Sequence, residues 1–114
     1  MVIVDEKKAN SMVMHVKSRK IDASSAVDFK NFVNSVVDAG GRDIILDLRE
    51  VEFIDSSGLG AIVCILKHVG QEGSLVISGA TQAVERMFKM TRMDRVFRLY
   101  PNVDAALNSA SVPA

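Results

Sequence analysis

No tryptophan, a single tyrosine (Tyr100) and only five phenylalanines occur in this chain of 114 residues. That leaves little from which to build a platform for stacking nucleic-acid bases. Cysteine is nearly missing too. Cys64 stands alone, so an intrachain disulfide and a cysteine-rich metal site are both excluded, and a reducing cytoplasm is the expected compartment. Charge of one sign is lacking as well: fourteen Lys and Arg balance fourteen Asp and Glu. No global field therefore draws the chain toward nucleic acid or an anionic membrane. The longest apolar stretch, Gly58 to Leu66, falls far short of the roughly 20 residues a membrane helix needs. The amino terminus becomes charged at Asp5-Glu6-Lys7-Lys8, too early for a secretory signal. What is present, 48% apolar and 25% charged residues, is the composition of one globular domain. That domain is expected over residues 1–110, with a frayed tail at 111–114.

The pattern of apolar residues predicts alternating strands and helices. Val2-Ile3-Val4 and Met12 to Val16, split by the polar run Asp5 to Ser11, read as a hairpin. Ser25 with Asp28 has the form of a capping box, with Ser24 as the competing N-cap, ahead of Ala26, Phe29, Val33 and Val36 at helical spacing. Gly40-Gly41 ends that helix. Ile44 to Leu48 reads as a buried strand and Val51 to Ile54 as a second short extended piece. Asp55-Ser56-Ser57 offers N-caps for a helix from Leu59 to Val69, broken by Gly70 and Gly73. Leu75-Val76-Ile77 is the next strand. Thr81 caps a helix carrying Val84, Met87 and Phe88, Val96 to Tyr100 is a last strand, and Asn102 caps a final short helix. The expected order is β-β-α-β-α-β-α-β-α. It describes an α/β domain with about four helices on a mixed, mostly parallel sheet opened by an antiparallel hairpin.

The most informative segment is Phe53-Ile54-Asp55-Ser56-Ser57-Gly58-Leu59-Gly60, where a strand gives way to a helix. Unpaired backbone N–H groups and the positive end of the helix dipole make such a place hospitable to an anion, including a phosphate added to a hydroxyl. Gly58 and Gly60 carry no side chain to keep a partner's backbone away. The same residues also read as a plain N-cap with glycines packed on the sheet.

Ile45-Leu46-Asp47-Leu48 followed by Val51 to Gly60 resembles the signature of STAS-domain anti-sigma factor antagonists. The similarity continues through Ala83-Val84-Glu85-Arg86-Met87-Phe88 and back to Ile21-Asp22-Ala23, so it spans nearly the whole chain. The resemblance implies a non-enzymatic binding switch without cofactor or metal. In that family the first serine of D-S-S-G is phosphorylated by a partner serine protein kinase that doubles as an anti-sigma factor. A PP2C-type phosphatase restores the hydroxyl. Carried onto this sequence, the acceptor is Ser56, with Ser57 the runner-up. Asp22, Asp55, Ser57, Gly58, Leu59 and Gly60 form the expected partner-binding surface. Asp22 matches the acid of the family's G-E-L-D-type segment. Here that stretch is Arg19-Lys20-Ile21-Asp22, a departure that bears on the identity of the partner rather than on the fold. An alternative within the binding class is a STAS scaffold subunit of a stress, secretion or transport complex.

Enzymatic readings find little to stand on. Gly58-Leu59-Gly60 opens a helix as a dinucleotide fingerprint does, but Val63 fills the place of the third glycine. There is no G-K-S/T element, and Ser56 does not sit in G-x-S-x-G. Asp47, at a strand end, has the position of a receiver-domain acceptor, yet Asp5-Glu6 is expected in the first turn. His15 and His68 read as half-exposed structural residues. Two local charge features remain. Asp43, Asp47, Glu50, Glu52 and Asp55 crowd around a single Arg49, and Arg86, Lys89, Arg92, Arg95 and Arg98 recur every third residue. Both are solvated faces or surfaces that orient a complementary partner. Met87, Met90 and Met93 form a soft stripe beside the basic run.

Overall fold

The computed structural model describes residues 1–111. Its first two strands, β1 (Ile3–Lys8) and β2 (Ser11–Val16), pair antiparallel from Ile3↔Val16 to Lys8↔Ser11. The polar run Asp5 to Lys8 belongs to the strand, not to the turn, which shrinks to Ala9-Asn10. β1 is an edge strand with one residue half-buried and the rest exposed. Charged side chains cost little there, and they discourage a second chain from pairing with the edge. Ala9 takes φ 53 in the turn, a conformation that costs a non-glycine residue about 1 kcal/mol.

After a two-residue strand β3 (Lys20–Ile21) come α1 (Ala26–Asp38), β4 (Asp43–Asp47), β5 (Phe53–Ile54) and α2 (Ser56–Val69). Then follow β6 (Ser74–Ser78), α3 (Gln82–Met90), β7 (Leu99–Tyr100) and α4 (Val103–Ser111). The main sheet has the order β1-β2-β4-β6-β7, with β2, β4, β6 and β7 mutually parallel. This is the expected mixed, mostly parallel sheet with its antiparallel opening and four helices.

Alternation along the strands divides the core between the two faces of the sheet. Met14, Ile44, Leu46 and Ile77 join Phe29 and Val33 of α1, Ile62 and Ile65 of α2, and Val84 and Phe88 of α3 in the larger core. Val13 and Ile45 point the other way, to Ala106 of α4. Each fully buried Leu, Ile or Phe of this kind contributes about 1.5–3 kcal/mol. The Tyr100 hydroxyl and Ser109 Oγ, 2.6 Å apart, tie α4 to β7.

Several local expectations are corrected. The short extended piece expected over Val51 to Ile54 begins two residues later, because the Val51 N–H closes a turn onto the Leu48 carbonyl at 2.9 Å. Only Phe53–Ile54 is extended, and it pairs in parallel with Lys20–Ile21 in a separate two-stranded ladder. The expected strand from Val96 shrinks to Leu99–Tyr100. Arg92 turns left-handed (φ 61) into a single 3-10 turn at Met93–Arg95. That turn drives Phe97 into the core, where its ring lies 5.9 Å from that of Phe88. Ser25 precedes α1 but makes no side-chain cap bond to it, so the capping box with Asp28 is not formed. The caps expected at Thr81 and Asn102 are present, accepting from the Val84 and Ala105 N–H groups at 3.4 and 2.8 Å. α4 runs to Ser111, and the remainder of the expected tail lies outside the described residues.

Candidate functional site

Asp55 begins the site. Its backbone is extended (φ −94, ψ −175) and its Oδ1 accepts the Gly58 N–H at 2.9 Å, which starts α2 three residues earlier than the apolar pattern suggests. The second oxygen, Oδ2, accepts the Ala23 N–H at 3.1 Å. One carboxylate thus caps a helix and pins the turn that leads into α1. The Asp55 N–H donates to the Ile21 carbonyl at 3.3 Å and completes the link between the two segments.

On that scaffold Ser56 and Ser57 are the first two residues of α2, and both are exposed. Their N–H groups fall in the turn that has no intrahelical acceptors, so the positive end of the helix dipole lies beneath their hydroxyls. Gly60 lies one turn further along from Ser56 and is also exposed. Gly58 and Leu59, expected at the binding surface, are buried instead. A Cβ on Gly58 would run into the Ile21 carbonyl, so this glycine is what lets α2 approach β3. Leu59 is 8% exposed and anchors the helix in the core. Gly60 differs: a Cβ there would meet nothing within 4 Å. Among the described residues, no contact requires a glycine at that position.

Asp22 lies across the Asp55 link, half-buried in the turn before α1. Its Oδ1 accepts the Ser24 hydroxyl at 2.6 Å and the Ser24 N–H at 3.0 Å, and Lys20 Nζ stands 3.6 Å from Oδ2. The Ser24 hydrogen bond, more than any other contact, holds the Asp22 carboxyl below its ordinary value. Ser25 Oγ turns back to accept the Asp22 N–H at 3.1 Å, which is why it does not cap α1. The turn is locked by its own side chains.

Phe53 carries no signal of its own in the sequence. It is 51% exposed in β5, two residues before Asp55, while Ile54 points inward. A short strand with one apolar residue out and one in carries too little periodicity to reveal this.

The acidic crowd is dispersed by the fold. The Asp47 carboxylate is buried, 2.7 Å from His15 Nδ1 and 3.3 Å from Arg49 Nε, and so is held within ion pairs of the fold. His15 Nε2 meets Glu6 of β1 at 3.0 Å, and that contact is the main cause holding the Glu6 carboxyl below its usual range. Glu50 pairs with Lys17, and Asp43 accepts from Ser74. His68 sits against Asp38 at 2.7 Å. Both histidines occupy structural positions. Among the described residues, no group of three or more His, Cys, Asp or Glu is placed to hold a metal ion, and no helix is long and apolar enough to cross a membrane.

Comparison with known proteins agrees with this geometry. Residues 3–106 match the STAS domain family. A candidate anti-sigma factor antagonist of Thermotoga maritima is 30% identical over 100 residues, covering 86% of this chain and 88% of the relative. The crystal structure of an anti-sigma factor antagonist from Mycobacterium paratuberculosis superposes with a TM-score of 0.86 at 27% identity, over 95% of this chain and 92% of the other. The Bacillus cell fate determinant SpoIIAA, solved in its phosphorylated form, shares the fold at 12% identity with a TM-score of 0.72, over 96% of this chain and 99% of its own. The chain belongs to the STAS-domain family of anti-sigma factor antagonists.

Proposed function

We propose that this protein is a phosphorylation-controlled binding switch whose unmodified form engages a serine protein kinase that also acts as an anti-sigma factor, relieving inhibition of that partner's target. Ser56 is the acceptor and Ser57 its neighbour at the interface, with Asp22, Asp55, Phe53 and Gly60 around them. The protein binds and does not catalyse; it works in the cytoplasm, without direct contact to nucleic acid or membrane. The observation that carries this reading is the exposed Ser56 hydroxyl on the first turn of a helix whose start is fastened by Asp55.

The kinase moves the γ-phosphoryl group of ATP to Ser56 Oγ. A serine phosphoester forms, the bond between the β- and γ-phosphates breaks, ADP leaves, and the hydroxyl proton passes to a base of the kinase. A PP2C-type phosphatase hydrolyses the ester and resets the switch. The phosphate adds about −1.5 to −2 charges and three acceptor oxygens. Within the domain the dipole of α2 offsets part of that charge, while Asp55 and Glu52 oppose it, so the fold changes little. At a partner surface shaped for a neutral hydroxyl the same group must be desolvated without a cation. A hundredfold loss of affinity takes only about 2.7 kcal/mol, within the cost of one unpaired buried charge.

Incubation with the cognate kinase and ATP, followed by localisation of the phosphate by mass spectrometry, tests the assignment. Modification confined to Ser56 and loss of the complex on modification are the expected results. Phosphate found at another residue, or a complex that survives it, refutes the reading.

A further inference from the structure

Charge on this molecule cancels overall but is not evenly spread. Residues 85–98 hold five of the fourteen cations (Arg86, Lys89, Arg92, Arg95 and Arg98) and two of the fourteen acids (Glu85 and Asp94). This short stretch therefore carries +3 and the rest of the chain −3. All five cations are exposed. Lys89 pairs with Glu85 at 3.1 Å, whereas Arg86, Arg92, Arg95 and Arg98 have no carboxylate within 4 Å among the described residues. Four exposed arginines without counterions within one short stretch leave a local positive field, which an acidic ligand offsets.

The fold gives two of these arginines, Arg95 and Arg98, a cleft. Between α3 and the segment Asp94–Tyr100 lies a groove of about 570 Å³, walled by Glu85 and Lys89 on one side and by Arg95 and Arg98 on the other. Its lining includes apolar surface: Val96 is 52% exposed and Leu99 is half-buried. One wall is β7, the outer strand of the sheet. The Arg98 and Tyr100 carbonyls accept from Ile77 and Gly79 of the β6 side, both at 2.9 Å. Backbone alternation therefore turns the N–H and C=O of Leu99 to the open edge.

We propose that this cleft binds an extended, acidic segment of a protein partner, with glutamate or aspartate side chains on Arg95 and Arg98 and an apolar residue over Val96 and Leu99. Guanidinium groups suit this task because they take carboxylates in paired hydrogen bonds. The outward backbone of Leu99 adds the donor and acceptor that an extended chain uses when it joins a sheet edge. A nucleic acid fits less well. The one half-buried ring in the groove, Tyr100, is tied through its hydroxyl to Ser109, which leaves little for stacking bases. The cleft is separate from Ser56 and does not depend on the phosphorylation switch.

The test uses the whole chain and a fluorescent nine-residue peptide of repeated Glu-Leu-Glu, followed by anisotropy at low salt and by amide chemical shifts. Saturable binding is expected, with shifts concentrated at residues 95–100. Affinity should fall at least tenfold in an Arg95→Glu/Arg98→Glu variant and stay unchanged in Ser56→Ala. If the charge reversal does not fold, Arg95→Gln/Arg98→Gln must weaken binding in the same direction. Absence of saturable binding, or shifts centred elsewhere, overturns the proposal. So does an oligothymidylate of equal charge that binds as tightly and is equally weakened by the reversal. A dimer in sedimentation that the reversal disperses also overturns it, because the occupant would then be a second copy of the chain.

Discussion

Asp55 and Ala23 are 32 positions apart in sequence and joined by one hydrogen bond: the Ala23 N–H donates to Asp55 Oδ2 at 3.1 Å. The same carboxylate caps α2 through Gly58 at 2.9 Å. Through this pair the Ser56 turn and the Asp22 turn are held as one surface. A partner touching Ser56 meets Asp22 in a fixed relation to it. This explains why an acid next to a serine, an ordinary helix cap when considered alone, has a second role here.

Asp55→Ala removes both acceptors. Loss of the cap costs about 1 kcal/mol, and the Ala23 N–H loses its partner at an exposed site where water replaces it. The expected destabilisation is about 1–2 kcal/mol by chemical denaturation, with amide shifts at both Ala23 and Gly58. Asp55→Ser keeps a cap oxygen but is too short to span the gap, so it should restore Gly58 and leave Ala23 shifted. A variant in which only the α2 amides move contradicts the bridging role.

Ser56→Ala should abolish phosphorylation by the kinase while leaving the melting temperature within a few degrees of the parent, since the hydroxyl is exposed and Asp55 supplies the cap. Ser57→Ala should still be modified. The check is intact-protein mass spectrometry on both variants; full modification of Ser56→Ala would move the acceptor to its neighbour.

The two glycines of the site should respond in opposite ways. Gly58→Ala places a methyl against the Ile21 carbonyl and forces α2 away from β3, a loss of several kcal/mol or failure to fold. Gly60→Ala enters open space in a helix interior and should stabilise the domain by about 0.5–1 kcal/mol. Its methyl stands on the face that carries Ser56, so kinase affinity should fall even as thermal stability rises. A Gly60→Ala protein that binds the kinase as tightly as the parent would remove Gly60 from the interface.

Asp22 and Glu6 both have carboxyls held below their ordinary values of 3.8 and 4.5, chiefly by Ser24 and His15 respectively. A carboxylate with a lowered folded-state pKa contributes stability above its unfolded value and loses it as pH falls through the folded one. Stability should therefore be insensitive to these two groups at neutral pH. It should decline once the pH drops below about 4.5, first through Glu6 and then through Asp22. Asp22→Asn should flatten the lower part of that decline and, under the proposed function, weaken kinase binding at pH 7. Carbon-detected titration of the two side chains, with midpoints expected below 4.5 and 3.8, provides the check.

The order of the helices and the main-sheet strands, the hairpin, the caps at Thr81 and Asn102 and the D-S-S-G turn were legible in the amino-acid sequence, because each rests on neighbours within a few residues. Periodicity of Phe29 and Val33, a threonine before a helix and a serine after an aspartate are local facts. What tertiary structure alone decided depends on residues far apart. Phe53–Ile54 became a strand by pairing with Lys20–Ile21, and Asp47 ended buried between His15 and Arg49 rather than in an acidic patch. Gly58 and Gly60, alike in sequence, were separated by the presence or absence of the Ile21 carbonyl beside them. Burial and long-range hydrogen bonds are properties of the assembled chain, and no pattern along it encodes which backbone will lie against which side chain.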